Sequence, residues 1–282
     1  MQCGHSFAGA PKSTSLNNPN STTQGDSTVA QINGDNSSNI LNGTTANDVI
    51  YGNAGYDIID AGAGYDTVYA GSDGDIVFGG TEDDYLYGQD GNDFLYGNAG
   101  IDVLLGGDGN DWLEGGDGID FLEGDSDIGG RIGTGNDWLD GGAGDDILQG
   151  MRGNDTLLGA TGQDVIIGGD GADNLWGGSG IDEFAYNALG EGIDRIWDFS
   201  VEDVISVKAT GFGSGLQSGS LPNSQFVVGS GATTTNHRFI YNPNTGALFF
   251  DGDGTGNTFA PIQFAILPLG LAMTASDIYV YP

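Results

Sequence analysis

Aspartate recurs every nine residues along the middle of this chain. The series runs Asp48, Asp57, Asp66, Asp75, Asp84, Asp93, Asp102, Asp111 and Asp120, then resumes as Asp137, Asp146, Asp155, Asp164, Asp173 and Asp182. Each aspartate closes a glycine-rich stretch whose backbone carbonyls are free to face a ligand. Carboxylates and carbonyls are hard oxygen donors, and hard divalent cations are what such donors hold. Calcium suits them best, since it accepts six to eight oxygens in flexible geometry where magnesium demands a tight octahedron. The candidate ligands are the fifteen aspartates together with Gly88, Asp90, Gly106, Asp108, Gly115, Asp117, Gly168 and Asp170 of the same turns. Asp can also cap a glycine turn through its own backbone. That explains single turns but not fifteen in phase.

The elements that position these residues follow from a second series. Two residues after each aspartate stands an apolar side chain: Ile50, Ile59, Val68, Val77, Leu86, Leu95, Leu104, Leu113, Leu122, Leu139, Leu148, Leu157, Ile166, Leu175 and Phe184. The unit is Gly-Gly-x-Gly-x-Asp-x-Leu-x, cleanest in Gly106 to Glu114 and Gly115 to Glu123. It divides into a six-residue turn and a three-residue strand whose central side chain alone points inward. Two units make one coil of a flattened solenoid, with parallel sheets sharing a thin apolar core. Asn39 and Leu41 fall on the same register, so Gly34 to Asn42 is a degenerate first repeat. The spacing of 17 from Asp120 to Asp137 is one repeat plus eight, and Gly124 to Ile132 reads as a loop bulging from one turn.

Alternate turns fall on opposite edges. One edge stacks Asp48, Asp66, Asp84, Asp102, Asp120, Asp146, Asp164 and Asp182; the other stacks Asp57, Asp75, Asp93, Asp111, Asp137, Asp155 and Asp173. A carboxylate ladder of this kind repels itself unless counter-ions lie within it. The composition makes the same demand, with 40 acidic against 6 basic residues and a net charge of −34. So anionic a chain resists compaction and is a poor partner for nucleic acid or an anionic membrane surface. Its 54 glycines call for many tight turns, yet no strict triplet period is present, which excludes collagen.

This pattern resembles the hemolysin-type calcium-binding repeat of the RTX (repeats-in-toxin) family, from about Gly34 to Ala185. The resemblance implies an all-β fold: a calcium-stacked parallel β-roll with a C-terminal β-rich cap. It also implies several Ca²⁺ ions, each between two neighbouring turns of one edge. Ala46, Asp73 and Glu82 stand where position four of the turn should be glycine, and Arg152 brings a positive charge into another turn. Weak calcium is expected there, and strong sites at Asp93, Asp102, Asp111, Asp120, Asp164 and Asp173.

Three regions result: a polar, flexible segment 1–33, the roll 34–185, and a cap 186–282. After Ala185 strand-like runs replace the clock, at Arg195 to Phe199, Asp203 to Val207, Gln225 to Val228, Arg238 to Tyr241, Ala247 to Phe250, Ile262 to Leu267 and Ile278 to Tyr281. Asp194-Arg195-Ile196-Trp197-Asp198-Phe199 resembles the segment that follows repeats in RTX proteins, where an uncleaved signal for type I secretion resides. Met1 to Ala10 has neither a basic nor an apolar signal region, and no run is long enough to span a membrane. Cys3 is the sole cysteine and has no disulfide partner in the chain. Asp251-Gly-Asp253-Gly reads first as a hairpin turn and second as a further calcium site.

No H-E-x-x-H or G-x-S-x-G occurs, and the two histidines, His5 and His237, lie in unrelated segments. The chain therefore reads as a secreted, non-enzymatic calcium-binding protein of the extracellular space or cell surface, serving adhesion or a matrix. The alternative is a non-catalytic accessory module of an RTX-type hydrolase or polysaccharide epimerase. Outward apolar rows, Tyr51, Tyr69, Tyr87 and Leu105 on one sheet and Ile58, Ile76, Phe94, Trp112 and Trp138 on the other, point to a polysaccharide or another surface protein as partner; aromatic ladders that merely stabilise the sheets explain them equally.

Overall fold

A computed structural model of the protein describes residues 29–125, 133–213, 215–256 and 258–282. Cys3, His5, the Met1 to Ala10 segment, most of the polar 1–33 segment and all but the first two residues of the Gly124 to Ile132 insertion lie outside the described residues.

The chain winds as a β-roll. Alternate strands enter alternate sheets, so strands one full coil apart pair in parallel; among the described residues the sheets hold 12 and 13 strands. The register is that of the clock: Leu113 pairs with Leu95 on one side and Leu139 on the other. Every central apolar residue from Ile50 to Phe184 is buried. Its two neighbours in the strand point outward, which confines the core to one large side chain per half-coil.

The strands are longer than expected. A typical one, Trp112–Asp117, runs six residues rather than three, through the first three positions of the next turn. Gly116 pairs with Asn98 and Gly142, while Gly115 between the two paired stretches makes no pair and forms the corner. Coil-to-coil backbone contact thus continues round the edge, because glycines there let neighbouring backbones approach.

Both ends of the roll also differ from expectation. Ala30–Asn33 is a strand, paired with Asp48–Ala54 so that Ile32 lies beside Ile50. The roll therefore starts before Gly34, since an apolar side chain is needed to cover the first coil. At the other end there is no break at Ala185. Glu183–Tyr186, Val204–Lys208 and Ile278–Tyr281 extend the first sheet in parallel, and Asp194–Ile196 and Ile262–Ile266 extend the second. The second sheet then turns antiparallel through Ala247–Phe250 and Phe239–Tyr241. Phe212, Phe239, Phe250 and Phe264 pack largely edge to face and close the core. The turn at Asp251 is capped by its own Oδ1, which accepts the N–H groups of Asp253 and Gly254. Among the described residues no helix is long and apolar enough to cross a membrane.

Candidate metal centres

All fifteen clock aspartates are buried, and one hydrogen-bond pattern holds them. The backbone N–H of each aspartate donates to Oδ1 of the aspartate one coil further on. On the first edge the chain of bonds runs from Asp48 to Asp66 at 2.7 Å through Asp84, Asp102, Asp120, Asp146 and Asp164 to Asp182 at 3.1 Å. On the second it runs from Asp57 to Asp75 at 2.7 Å through Asp93, Asp111, Asp137 and Asp155 to Asp173 at 2.8 Å. The two edges contain the residues expected of each.

The other carboxylate oxygen is the notable one. In Asp57, Asp66, Asp75, Asp84, Asp93, Asp102, Asp111, Asp120, Asp137, Asp146, Asp155, Asp164 and Asp173, Oδ2 is buried and has no hydrogen-bond partner. Asp48 differs because its Oδ2 accepts from the N–H and hydroxyl of Thr44. A buried, unpaired carboxylate oxygen is costly to keep ionised. Burial accordingly pushes Asp84, Asp111, Asp137 and Asp155 up to about 8 and Asp66, Asp75, Asp93 and Asp164 up to about 7, with neighbouring carboxylates adding to the rise and the backbone N–H opposing it.

Where the first position of the turn is glycine, it lies against this oxygen. A Cβ on Gly88 would stand 2.4 Å from Asp93 Oδ2 and 2.6 Å from the carbonyl oxygen of Gly106 in the next coil. The same cradle recurs at Gly106, between Asp111 Oδ2 and Gly124 O, and at Gly115, between Asp120 Oδ2 and Gly141 O; at Gly168 it faces Asp173 Oδ2. These glycines let the backbone approach a carboxylate oxygen of its own turn and, at Gly88, Gly106 and Gly115, a carbonyl of the next more closely than a side chain would allow. Among the described residues no three His, Cys, Asp or Glu side chains converge on one point. The donors gathered at these turns are carboxylate and backbone carbonyl oxygens, an all-oxygen environment that fits calcium.

Asp90, Asp117 and Asp170 are exposed and Asp108 is half-buried, so their side chains stay outside the ladder. Their place in the turn is structural as well: the carbonyls of Asp108, Asp117 and Asp170 accept the N–H groups of Gly91, Gly100 and Gly153 one coil earlier. Asp57, Asp66, Asp75 and Asp84 share the orphaned oxygen with the turns expected to be strongest. Of the three non-glycine residues in position four, Asp73 and Glu82 are left-handed and Ala46 is not; Asn53, Gln89, Asn98, Met151 and Ala160 in position two of their turns are left-handed as well. Asp73 and Glu82 recover part of that strain by accepting the N–H groups of Gly55 and Gly64.

Two ladder members lie beyond the clock. Asp173 N–H donates to Asp194 Oδ1 and Asp182 N–H to Asp203 Oδ1, each at 3.1 Å. Both are buried, and burial pushes Asp194 up to about 8. The period changes from eighteen to twenty-one, which hides them, but the signature survives: Ile196 and Ile205 follow two residues later and are buried.

A protein-family model for the RTX calcium-binding nonapeptide repeat matches residues 33–68, 69–104, 105–127, 133–157 and 149–184. The chain belongs to this family. Ca²⁺ is accordingly its cofactor, with several ions along the RTX roll. No curated protein matches the chain.

The outward rows of the RTX roll form as read. Tyr51, Tyr69 and Tyr87 stack at 5.1 and 4.8 Å between ring centroids, and Trp112 and Trp138 at 5.0 Å with planes 7° apart. Phe78 stacks on Tyr96, and Trp176 on Trp197. Because each ring covers its neighbour's face, these ladders present ring edges outward. Sugar stacking needs open faces, which are left only at the ends of each stack.

Proposed function

We propose that the protein is an extracellular RTX roll that folds when calcium enters its turns, and that it serves as an adhesion, matrix or surface-associated protein. The observation that carries this reading is the set of thirteen buried Asp Oδ2 atoms without a partner in a chain of net charge −34. Without cations the roll must bury carboxylates unpaired or protonate them. With calcium between turns, each carboxylate gains a counter-charge and the cradle beside the first glycine is used. The ladder aspartates, with carbonyls of the turn glycines, would hold the ions. An ion that binds only the folded roll adds about 1.4 kcal/mol at ten times its dissociation constant, and many sites add up.

Such a chain stays extended where calcium is scarce and compacts where it is abundant, which suits passage through an export channel. The region 186–282 combines the closing cap with a type I secretion signal. Its strands supply the covered end that a solenoid needs. The ladders of aromatic edges suit lateral contact with another protein surface better than sugar stacking. Co-expression with a type I exporter tests the secretion reading: the full chain should reach the medium and a chain ending at residue 185 should not. Equal export of both would refute it.

A further inference from the structure

Asp125 lies outside the clock, yet it is 0% exposed. It is the second residue of the segment read as the insertion, and Gly124 belongs instead to the turn. Gly124 before it is still a cradle glycine, since a Cβ there would meet Asp137 Oδ2 at 2.3 Å and Gly150 O at 2.9 Å. Gly133 after the insertion takes up the second turn position, its Cβ meeting Gly107 O at 2.2 Å as that of Gly116 meets Asn98 O at 2.1 Å. The chain thus leaves the turn and returns between positions one and two, and Asp125 stays behind in the wall of the site. Its Cβ lies 3.2 Å from the place of a Gly133 Cβ. Its Oδ2 accepts the N–H of Arg152 in the next coil at 3.1 Å. Its Oδ1 is buried and has no partner.

This turn therefore carries two orphaned carboxylate oxygens, Asp125 Oδ1 and Asp137 Oδ2, where every other turn of the ladder carries at most one. Resting on the reading that calcium occupies the turns, we propose that Asp125 is a second carboxylate ligand of the ion between the Asp137 and Asp155 turns. The site is a calcium site of higher charge than its repeats-only neighbours, and ligand charge is a principal determinant of calcium affinity. It also answers Arg152, whose positive charge in this turn would otherwise oppose a cation. The insertion thus rescues the coil that the sequence marks as a poor binder.

Asp125→Asn in the full chain keeps an acceptor for the Arg152 N–H and removes the charge. Calcium titration by calorimetry should show one tight ion fewer per chain, its affinity lowered about tenfold or more, with the remaining sites unmoved. A crystal of the unaltered chain grown in calcium should place an ion about 2.3–2.6 Å from both Asp125 Oδ1 and Asp137 Oδ2. That crystal decides the matter if the variant fails to fold. Identical titrations, or ions in other turns while Asp125 Oδ1 lies against the Arg152 guanidinium, would overturn the assignment. Turns empty throughout the crystal would instead remove the wider reading on which it rests.

Discussion

The backbone N–H of Asp93 donates to Oδ1 of Asp111, one coil away, at 2.8 Å, while Oδ2 of the same Asp111 carboxylate is buried without a partner. One oxygen of the ladder builds the fold, and on the proposed reading the other takes a calcium ion. The two roles can be separated by substitution.

Asp111→Asn keeps Oδ1 as an acceptor and removes the charge. In calcium the variant should be less stable by about 1–3 kcal/mol, the range for losing a charged partner at a buried site. Without calcium the sign should reverse, because a buried carboxylate with no counter-ion no longer has to be formed. Urea melts of both proteins in the two conditions check this. Destabilisation of equal size in both would mean that Asp111 acts through the ladder bond alone.

In the calcium-free roll, pH should act through carboxyls whose folded values lie above their unfolded one. Burial raises Asp111, Asp137 and Asp155 from 3.8 to about 8. Between those values the folded chain binds more protons than the unfolded chain, so stability falls as pH rises from about 4 to about 8. Below that window the stabilisation is present in full. Circular dichroism of the metal-stripped chain should show more strand at pH 5 than at pH 8.5. Calcium competes with these protons, so its apparent affinity should increase over the same interval.

Ala61 and Ala70 occupy the first turn position, where the other turns have glycine. By register their methyl groups stand in the cradles beside Asp66 and Asp75. These turns should hold calcium most weakly. Ala61→Gly with Ala70→Gly should tighten the weakest class of ions in a calcium titration by severalfold, whereas the same pair of changes at the outward Ala54 and Ala63 should not.

Position two of most turns is left-handed, in several of them without glycine. Met151 has φ 75° and Ala160 φ 73°, at about 1–2 kcal/mol per residue of strain. Met151→Gly should stabilise the calcium-loaded roll by roughly 1 kcal/mol. Gly107→Ala should do the opposite by a larger margin, since its Cβ would lie 2.0 Å from Gln89 O.

How far the sequence reached depended on what the period could report. Asp111 and Leu113 announce the fold because each repeats in phase, and phase is a direct record of coil stacking. The edge assignments and the aromatic rows follow from the same count, and both hold, as the Trp112–Trp138 stack shows. What lies outside the period was hidden. Asp194 and Asp203 extend the ladder after the spacing has changed, and only the trailing Ile196 and Ile205 mark them. Asp125 sits in the one turn where the count is interrupted. The division of each carboxylate between Oδ1 and Oδ2 is a matter of geometry that residue type does not express. The strands outrun what the residues suggest, because glycine reads as turn although coil-to-coil pairing persists through Gly116.

The most direct test of the calcium-stacked roll is far-ultraviolet circular dichroism of the full chain as free calcium is raised from chelated to millimolar levels at pH 7.5. Cooperative gain of strand signal, reversed by chelator, is the result expected of a chain with thirteen buried, unpartnered Asp Oδ2 atoms. A full strand signal that persists in chelator and does not change with calcium would contradict it.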